Sequence, residues 1–496
     1  MGYIEGEDRK QTVLFPEVLD DYISEENPVR FIDVFIEELD LSGMGFQKAI
    51  PKDTGRPPYD PGDLLRLYVY GYLNRTRSSR RLETEGGRNV EVMWLMRKLR
   101  PDFKTIADFR KDNAQGIKKV CREFTLWCKR LELFGGELVA IDGSKFGAVN
   151  SPKRNFTEKK LRRMIKEIDG KIDQYLNQLD QQDKQEAGQR GVSPEQLKEK
   201  IEHYKQRRAQ YEQLKTDLEG SAESQISLTD PQSRLMRVGH GVEVSYNVQI
   251  VVDHKHKLVV EHEVTNEVTD QGQLSTMAKK AQETLGVQTL EVVADRGYYN
   301  GEEVKACEQS GMTVYVPKPN NSSNLKRGLF TKEDFIYEPQ KDCYRCPAGK
   351  ELSYRFDSVE QGRAVHSYEI YGCNSCELKS KCSINKRGRR RITRWVDEAI
   401  LEAMARRMTE HPEKAELRKC LAEHPFGTIK RAMNQGYFLM RGLSKVGAET
   451  SLTILAYKPQ ASDEYSRSKE NDGGRYLRGR DPQLSSRGFK GDRRIQ

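Results

Sequence analysis

Three carboxylates stand far apart in this 496-residue chain, each in a setting suited to metal-assisted phosphoryl transfer. Asp142 closes Glu-Leu-Val-Ala-Ile-Asp-Gly, where the apolar run 138–141 predicts a short buried strand with the acid at its carboxyl end. Asp295 closes Leu-Glu-Val-Val-Ala-Asp-Arg-Gly-Tyr-Tyr in the same way, ahead of a helical stretch from about Asn300 to Gln309. Glu423 lies in a helix read from the i, i+3, i+4 stripe Leu417, Cys420 and Leu421, and Pro425 predicts that this helix stops near His424. Two strand-end aspartates and a helical glutamate suit two Mg²⁺ (or Mn²⁺) ions roughly 3.5–4 Å apart, which stabilise the attacking and leaving oxygens of an in-line displacement on a phosphodiester. Hard carboxylate oxygens fit such ions. Taken singly, each acid is better read as a strand-end or N-cap aspartate or a solvated helical glutamate than as a catalytic group.

The residues around the acids carry more information. Asp295-Arg-Gly-Tyr-Tyr299, and Glu423 followed by His-Pro-Phe-Gly-Thr-Ile-Lys430, resemble the DDE transposases of bacterial insertion sequences, with their ribonuclease H-like catalytic domain. The resemblance implies that Asp142, Asp295 and Glu423 are the metal-binding triad and that Lys430 is the basic residue seven positions beyond the glutamate. It implies DNA cleavage and strand transfer at terminal inverted repeats, DNA as partner, and a homodimer or higher oligomer in the DNA complex. Lys430, Lys419 and Arg296 would then touch DNA phosphates. One departure stands out: relatives often carry a tyrosine and an arginine upstream of the glutamate, where this chain has Glu416 and Lys419. A plain metal-dependent endonuclease and a non-catalytic end-binding repressor derived from a transposase are the alternative readings.

The elements that must position these groups follow along the chain. Residues 1–135 read as helices, with Asn27-Pro28 and Asp60-Pro61 as start signals. Arg75, Arg77, Arg80, Arg81 and Arg110 crowd near helix ends there, which suits phosphate contacts and also an ordinary solvated face. By resemblance this is the DNA-binding domain, and 136–457 is the catalytic domain, an α/β fold with a mixed sheet flanked by helices. Within it, 155–222 is polar, with Leu161, Ile165, Ile168, Ile172, Tyr175 and Leu179 alternating four and three apart. A break at Ala187–Gly191 and a capping box at Ser193 predict an inserted antiparallel helical hairpin. Strands are expected at 243–253, 258–264 and 312–317, with His254 and His256 in an exposed turn.

Cys343-x2-Cys346 and Cys373-x2-Cys376, with Cys382, mark a small Cys-rich module over 338–395 that resembles a zinc ribbon. A structural Zn²⁺, a reduced unmetallated cluster and a redox centre are all open, and the fifth cysteine leaves the ligand set undefined. Cys121, Cys128, Cys307 and Cys420 sit in apolar helical surroundings and are expected to be buried and reduced. Arg389, Arg390 and Arg391 belong to the densest basic run, placed to grip a DNA backbone or to lie in a solvated loop.

The length allows several domains and a large core. A net charge of +9 adds only weak support for nucleic-acid binding. No apolar run reaches a membrane span, and the first residues lack a signal-peptide core, so a cytoplasmic protein is expected. Residues 459–496 hold seven AVILMFWYC residues in 38 and fifteen charged ones, a composition that predicts a disordered tail from 458, as a frame change would produce.

Overall fold

Local capping starts the helices where the sequence predicts. In the computed structural model, which describes residues 18–471 apart from 52, 55–56, 185–193, 222, 240, 321 and 361, Asn27 accepts from the Val29 amide at 3.0 Å and opens α1 (Pro28–Glu37). Asp60 accepts from Gly62 at 2.6 Å and opens α2 (Pro61–Leu73). Then come α3 (Ser79–Glu85), α4 (Val90–Leu95), α5 (Phe103–Asp112) and α6 (Ala114–Arg130).

The central sheet begins with β1 (Leu138–Gly147). Next, β2 (Asn155–Thr157) pairs with β3 (Gln225–Ser227) at the root of the hairpin made by α7 (Glu158–Lys184) and α8 (Pro194–Glu219). The expected seam forms: Leu161, Ile165 and Ile168 pack with Tyr211 and Leu218, and Tyr175 stacks on Tyr204. The predicted break at Ala187–Gly191 and cap at Ser193 lie outside the described residues.

β4 (Arg234–Val238), β5 (Gly241–Asp253) and β6 (Val259–Thr265) follow as antiparallel strands. After α9 (Leu274–Leu285) comes β7 (Leu290–Ala294), and after α10 (Gly301–Glu308) comes β8 (Met312–Tyr315). β1 pairs antiparallel with β5 on one side and parallel with β7 on the other, and β7 pairs parallel with β8. The sheet therefore runs β6 and β4, β5, β1, β7, β8, a mixed α/β sheet as expected.

The short α11 (Ser323–Lys326) leads into a second, antiparallel sheet of β9 (Ile336–Glu338), β10 (Cys343–Arg345), β11 (Glu351–Glu360), β12 (Arg363–Ile370) and, beyond α12 (Lys379–Cys382), β13 (Arg390–Trp395). The chain returns to the first sheet through α13 (Glu398–Glu410), α14 (Glu413–Gly427) and a π-helical turn at Thr428–Ala432, and α15 (Leu443–Asn471) follows.

Three corrections to the sequence reading emerge. β1 does not end at Asp142: it continues to Gly147, because β5 keeps pairing with it along its whole length. Pro425 does not end α14. Pro425 and Phe426 are buried, and the missing proline N–H is followed by the wider π turn. Last, α15 passes position 458 and runs to Asn471, anchored by the buried Leu452, Ile454, Leu455 and Tyr457. Full burial of side chains of this kind contributes about 1.5–3 kcal/mol each. Residues 472–496 lie outside the described residues.

One face of the sheet, with Phe146, Tyr246, Val248 and Ile250, shares a continuous core with α1, α2, α6 and α15. The opposite face, with Val139, Ile141 and Val251, is covered by α9, α10 and α13.

Candidate active site

Register brings the first two acids together. Ile141 is paired with Ala294 in the parallel β1–β7 ladder, so Asp142 and Asp295 follow side by side immediately beyond it. Side chains alternate along a strand. Asp142 thus shares a face with Leu138 and Ala140, and Asp295 shares that face with Val293. That face is the one α14 covers, through Leu421 and Ala422 with Leu417 beside them. Asp295 accepts from the Gly297 amide at 2.7 Å and caps a 3₁₀ turn, Arg296–Tyr298. Asp142 accepts from the Gly143 amide at 2.9 Å.

Glu423 occupies the same helix but is turned toward water, its side chain 64% exposed. A guanidinium that the sequence did not single out connects it to Asp142. Arg418 stands 3.7 Å from Asp142 Oδ2 and 3.4 Å from Glu423 Oε1. Lys419, expected to touch DNA phosphates, is the exposed neighbour of Arg418. Among the described residues, no three His, Cys, Asp or Glu side chains are drawn close enough to hold a metal ion as they stand.

Burial pushes the Asp142 carboxyl up to about 6; the Arg418 guanidinium opposes this, and the Asp295 and Asp270 carboxylates add to it. A half-buried acid that resists ionisation fits a divalent cation, which would favour the charged form.

Lys430 lies in the π turn. Its ammonium donates to Ser144 Oγ at 2.6 Å and to the Lys145 carbonyl at 2.8 Å, and it sits 4.7 Å over the Phe146 ring. Burial lowers its pKa. Two of its three donors are thus spent on the far half of β1, beyond Asp142.

The other basic residues divide. Arg75, Arg80, Arg81 and Arg296 are exposed. Arg77 and Arg110 are not phosphate ligands in this fold, because both are buried. Arg77 pairs with the buried Glu449 at 3.4 Å, donates to the Tyr437 carbonyl at 2.9 Å and lies 4.6 Å over that tyrosine's ring. Arg110 donates to Tyr72 Oη at 3.0 Å. Arg389 and Arg391 both pair with the buried Glu369, and Arg390 donates to the carbonyls of Cys382 and Phe330, so the basic run chiefly fastens the second sheet.

Of the five clustered cysteines, Cys346, Cys373, Cys376 and Cys382 line one apolar cavity of about 20 Å³ with Phe330, Phe335 and Ile370. Cys343 does not line it and is buried on β10. Cys121, Cys128 and Cys307 are buried as expected, but Cys420 is exposed, because the face of α14 that meets the sheet is set by Leu417, Leu421 and Ala422.

A second missed residue is Asp270, whose carboxylate accepts from Asn247 and Gln249 on β5 and from Lys145 on β1. It lies in a polar loop, 266–273, with no strand or helix pattern to single it out.

Known proteins resemble this chain in two segments. Residues 17–112 match a transposase domain (DUF772), and residues 345–458 match a transposase DDE domain. The second match includes Glu423, Lys430 and four of the five clustered cysteines, Cys346, Cys373, Cys376 and Cys382, while Asp142 and Asp295 lie between the two. No curated protein matches the chain. Among solved structures, a cryo-EM structure of the piggyBac transposase synaptic complex with hairpin DNA aligns over 90% of this chain and 77% of its own, at 10% identity and a TM-score of 0.33. So loose a likeness carries no argument. Two transposase domains in one α/β chain define the class, which is that of the transposases. The matched segment that carries Glu423 and Lys430 is a transposase DDE domain, so within that class the chain is similar to the DDE transposases. Among the described residues, no helix is long and apolar enough to cross a membrane.

Proposed function

We propose that this chain cuts DNA at the terminal inverted repeats of an insertion sequence and joins the ends to a target, using Mg²⁺ or Mn²⁺ held by Asp142, Asp295 and Glu423. The observation that carries the reading is the register of β1 and β7, which sets two aspartates side by side under the helix that bears Glu423. The strand order, with one antiparallel neighbour of β1 and two parallel strands beyond it, supports a ribonuclease H-like core. When bound, the metal supplies charge stabilisation to the attacking and leaving oxygens. The chain's part is to hold the two aspartates on adjacent strands, keep Asp142 partly desolvated, and bring Arg418 to the same face as a cation for a phosphate or for the acids themselves. Arg75, Arg80, Arg81, Arg296 and Lys419 are the exposed basic residues left to meet DNA phosphates, and two copies would pair two element ends. A structural Zn²⁺ on Cys346, Cys373, Cys376 and Cys382 belongs to the same reading.

The test is a supercoiled plasmid carrying the DNA that flanks this coding sequence, incubated with Mg²⁺. Cutting by the wild type that disappears in Asp142→Asn, Asp295→Asn and Glu423→Gln is the expected result, and cutting that survives these changes refutes the site. Cut ends without joined products favour a plain endonuclease. Binding of the ends without cutting favours the repressor, which the exposure of Glu423 already makes worth measuring.

A further inference from the structure

We propose that Asp270 is a positioning residue for the acidic site, bracing from the opposite face of the sheet the turn that aims Asp295. The inference rests on the reading of Asp142 and Asp295 as metal-binding acids.

Asp270 Oδ1 accepts from Asn247 Nδ2 at 2.6 Å, Gln249 Nε2 at 2.7 Å and Lys145 Nζ at 3.2 Å. These donors are not scattered. Lys145 is paired with Asn247, and Gly143 with Gln249, in the β1–β5 ladder. One carboxylate therefore clamps two adjacent strands at the stretch that follows Asp142. By alternation the clamp lies on the face of Ile141 and Val251, the α9 side, while Asp142 points to the α14 side.

The far end of Gln249 extends the connection. Its Oε1 accepts from the Tyr298 hydroxyl, and Tyr298 closes the 3₁₀ turn that Asp295 caps. Asp270, Gln249 and Tyr298 thus form a continuous path to the turn of Asp295. Asn247, Gln249 and Tyr298 are essentially buried, so no water stands ready to replace a lost partner. Gly143 makes the arrangement possible. A Cβ at that position would lie 2.3 Å from Gln249 Nε2, 2.7 Å from Asp270 Oδ1 and 3.0 Å from Tyr298 Oη. The glycine after Asp142 is the gap into which the clamp fits.

Groups that orient metal ligands through hydrogen bonds typically govern metal affinity or activity by 10–100-fold. A merely structural Asp270 would change the melting temperature and leave metal affinity alone. The experiment is a Mn²⁺ titration of the full chain followed by its melting temperature, with plasmid cutting measured against Mg²⁺ in parallel. Asp270→Ala is expected to raise the half-saturating metal concentration roughly tenfold or more. Asp270→Asn, which keeps one acceptor, is expected to fall between it and the wild type. Asp142→Asn, the control for the site itself, is expected to abolish the metal-induced shift. An unchanged metal midpoint in Asp270→Ala alongside a dead Asp142→Asn overturns the role of Asp270 and leaves the site standing. A wild-type metal response in Asp142→Asn overturns the site. If both Asp270 variants fold but show no metal response at any concentration, Asp270 is itself a ligand and the positioning role is wrong. If Asp270→Ala does not fold, Tyr298→Phe decides, because it removes only the hydroxyl link; an unchanged midpoint there also overturns the proposal.

Discussion

Asp142→Asn is expected to make the metal-free protein more stable while removing its metal response. The folded state holds the Asp142 carboxyl at about 6, well above the ordinary aspartate value of about 3.9, with burial the largest cause. A shift of about two units at 1.36 kcal/mol each makes ionised Asp142 cost the fold about 3 kcal/mol. That cost is already net of the attraction of the Arg418 guanidinium, which stands 3.7 Å away and opposes the effect of burial. The gain near pH 7.5 in EDTA is therefore about 3 kcal/mol. In a chain of this length, with an unfolding entropy of about 2.1 cal/mol/K per residue, that is a rise in melting temperature of roughly 3 °C.

The sign of the pH dependence follows from a folded pKa above the unfolded one. At pH 4 and below Asp142 is neutral in the folded state and at most about half ionised in the unfolded one, so the two proteins melt within about 0.5 kcal/mol of each other. As the pH rises from 4 toward 6 the unfolded chain ionises first, so the wild type loses stability relative to the variant, and the gap is fully open above about pH 6 to 7. Adding Mn²⁺ at pH 7.5 stabilises the wild type by mass action and leaves the variant where it was. Thermal melts at pH 4, 5.5 and 7.5, with and without Mn²⁺, read all of this. A variant less stable than the wild type at pH 7.5 in EDTA, or a gap independent of pH, refutes the reasoning.

Arg77→Ala leaves Glu449 buried without its partner and is expected to cost about 3–5 kcal/mol, whereas Arg81→Ala stays within about 0.5 kcal/mol and weakens DNA binding; denaturation and DNA-binding titrations of both variants check the contrast. Gly143→Ala drives a methyl into the clamp around Asp270 and is expected to destabilise by about 1–3 kcal/mol, seen as a lower melting temperature with secondary structure retained. Purified protein is expected to carry one Zn²⁺ per chain by elemental analysis, lost in Cys346→Ser and Cys382→Ser and kept in Cys343→Ser; metal-free wild type would remove the zinc assignment.

Much of the catalytic sheet was legible because its signals are local. β-branched runs that stop at an acid predicted both aspartates, and four-three spacing predicted the hairpin. What stayed hidden depended on distant partners. Residues 143–147 lack an apolar run and are strand because β5 pairs with them. Pro425 stays helical because the sheet buries that side of α14. Arg77 reads as a DNA contact until Glu449, 372 residues away, is seen to receive it. Arg418 and Lys419 are chemically alike neighbours, and only the helical phase set by Leu417, Leu421 and Ala422 decides which one meets Asp142. Asp270 carries no pattern at all, since its partners lie on two other strands.

The helix that closes the core has a consequence for biosynthesis. α15 packs its buried residues against α2 and α6 as well as against the sheet, so the apolar surface of the first 130 residues waits for a lid made more than 300 residues later. At 5–20 residues per second that wait is on the order of 20–60 s. Until then the nascent protein presents Leu65, Phe124 and their neighbours to whatever binds exposed apolar chain in the cell. Over that interval capture by such binders would compete with aggregation of the exposed surface.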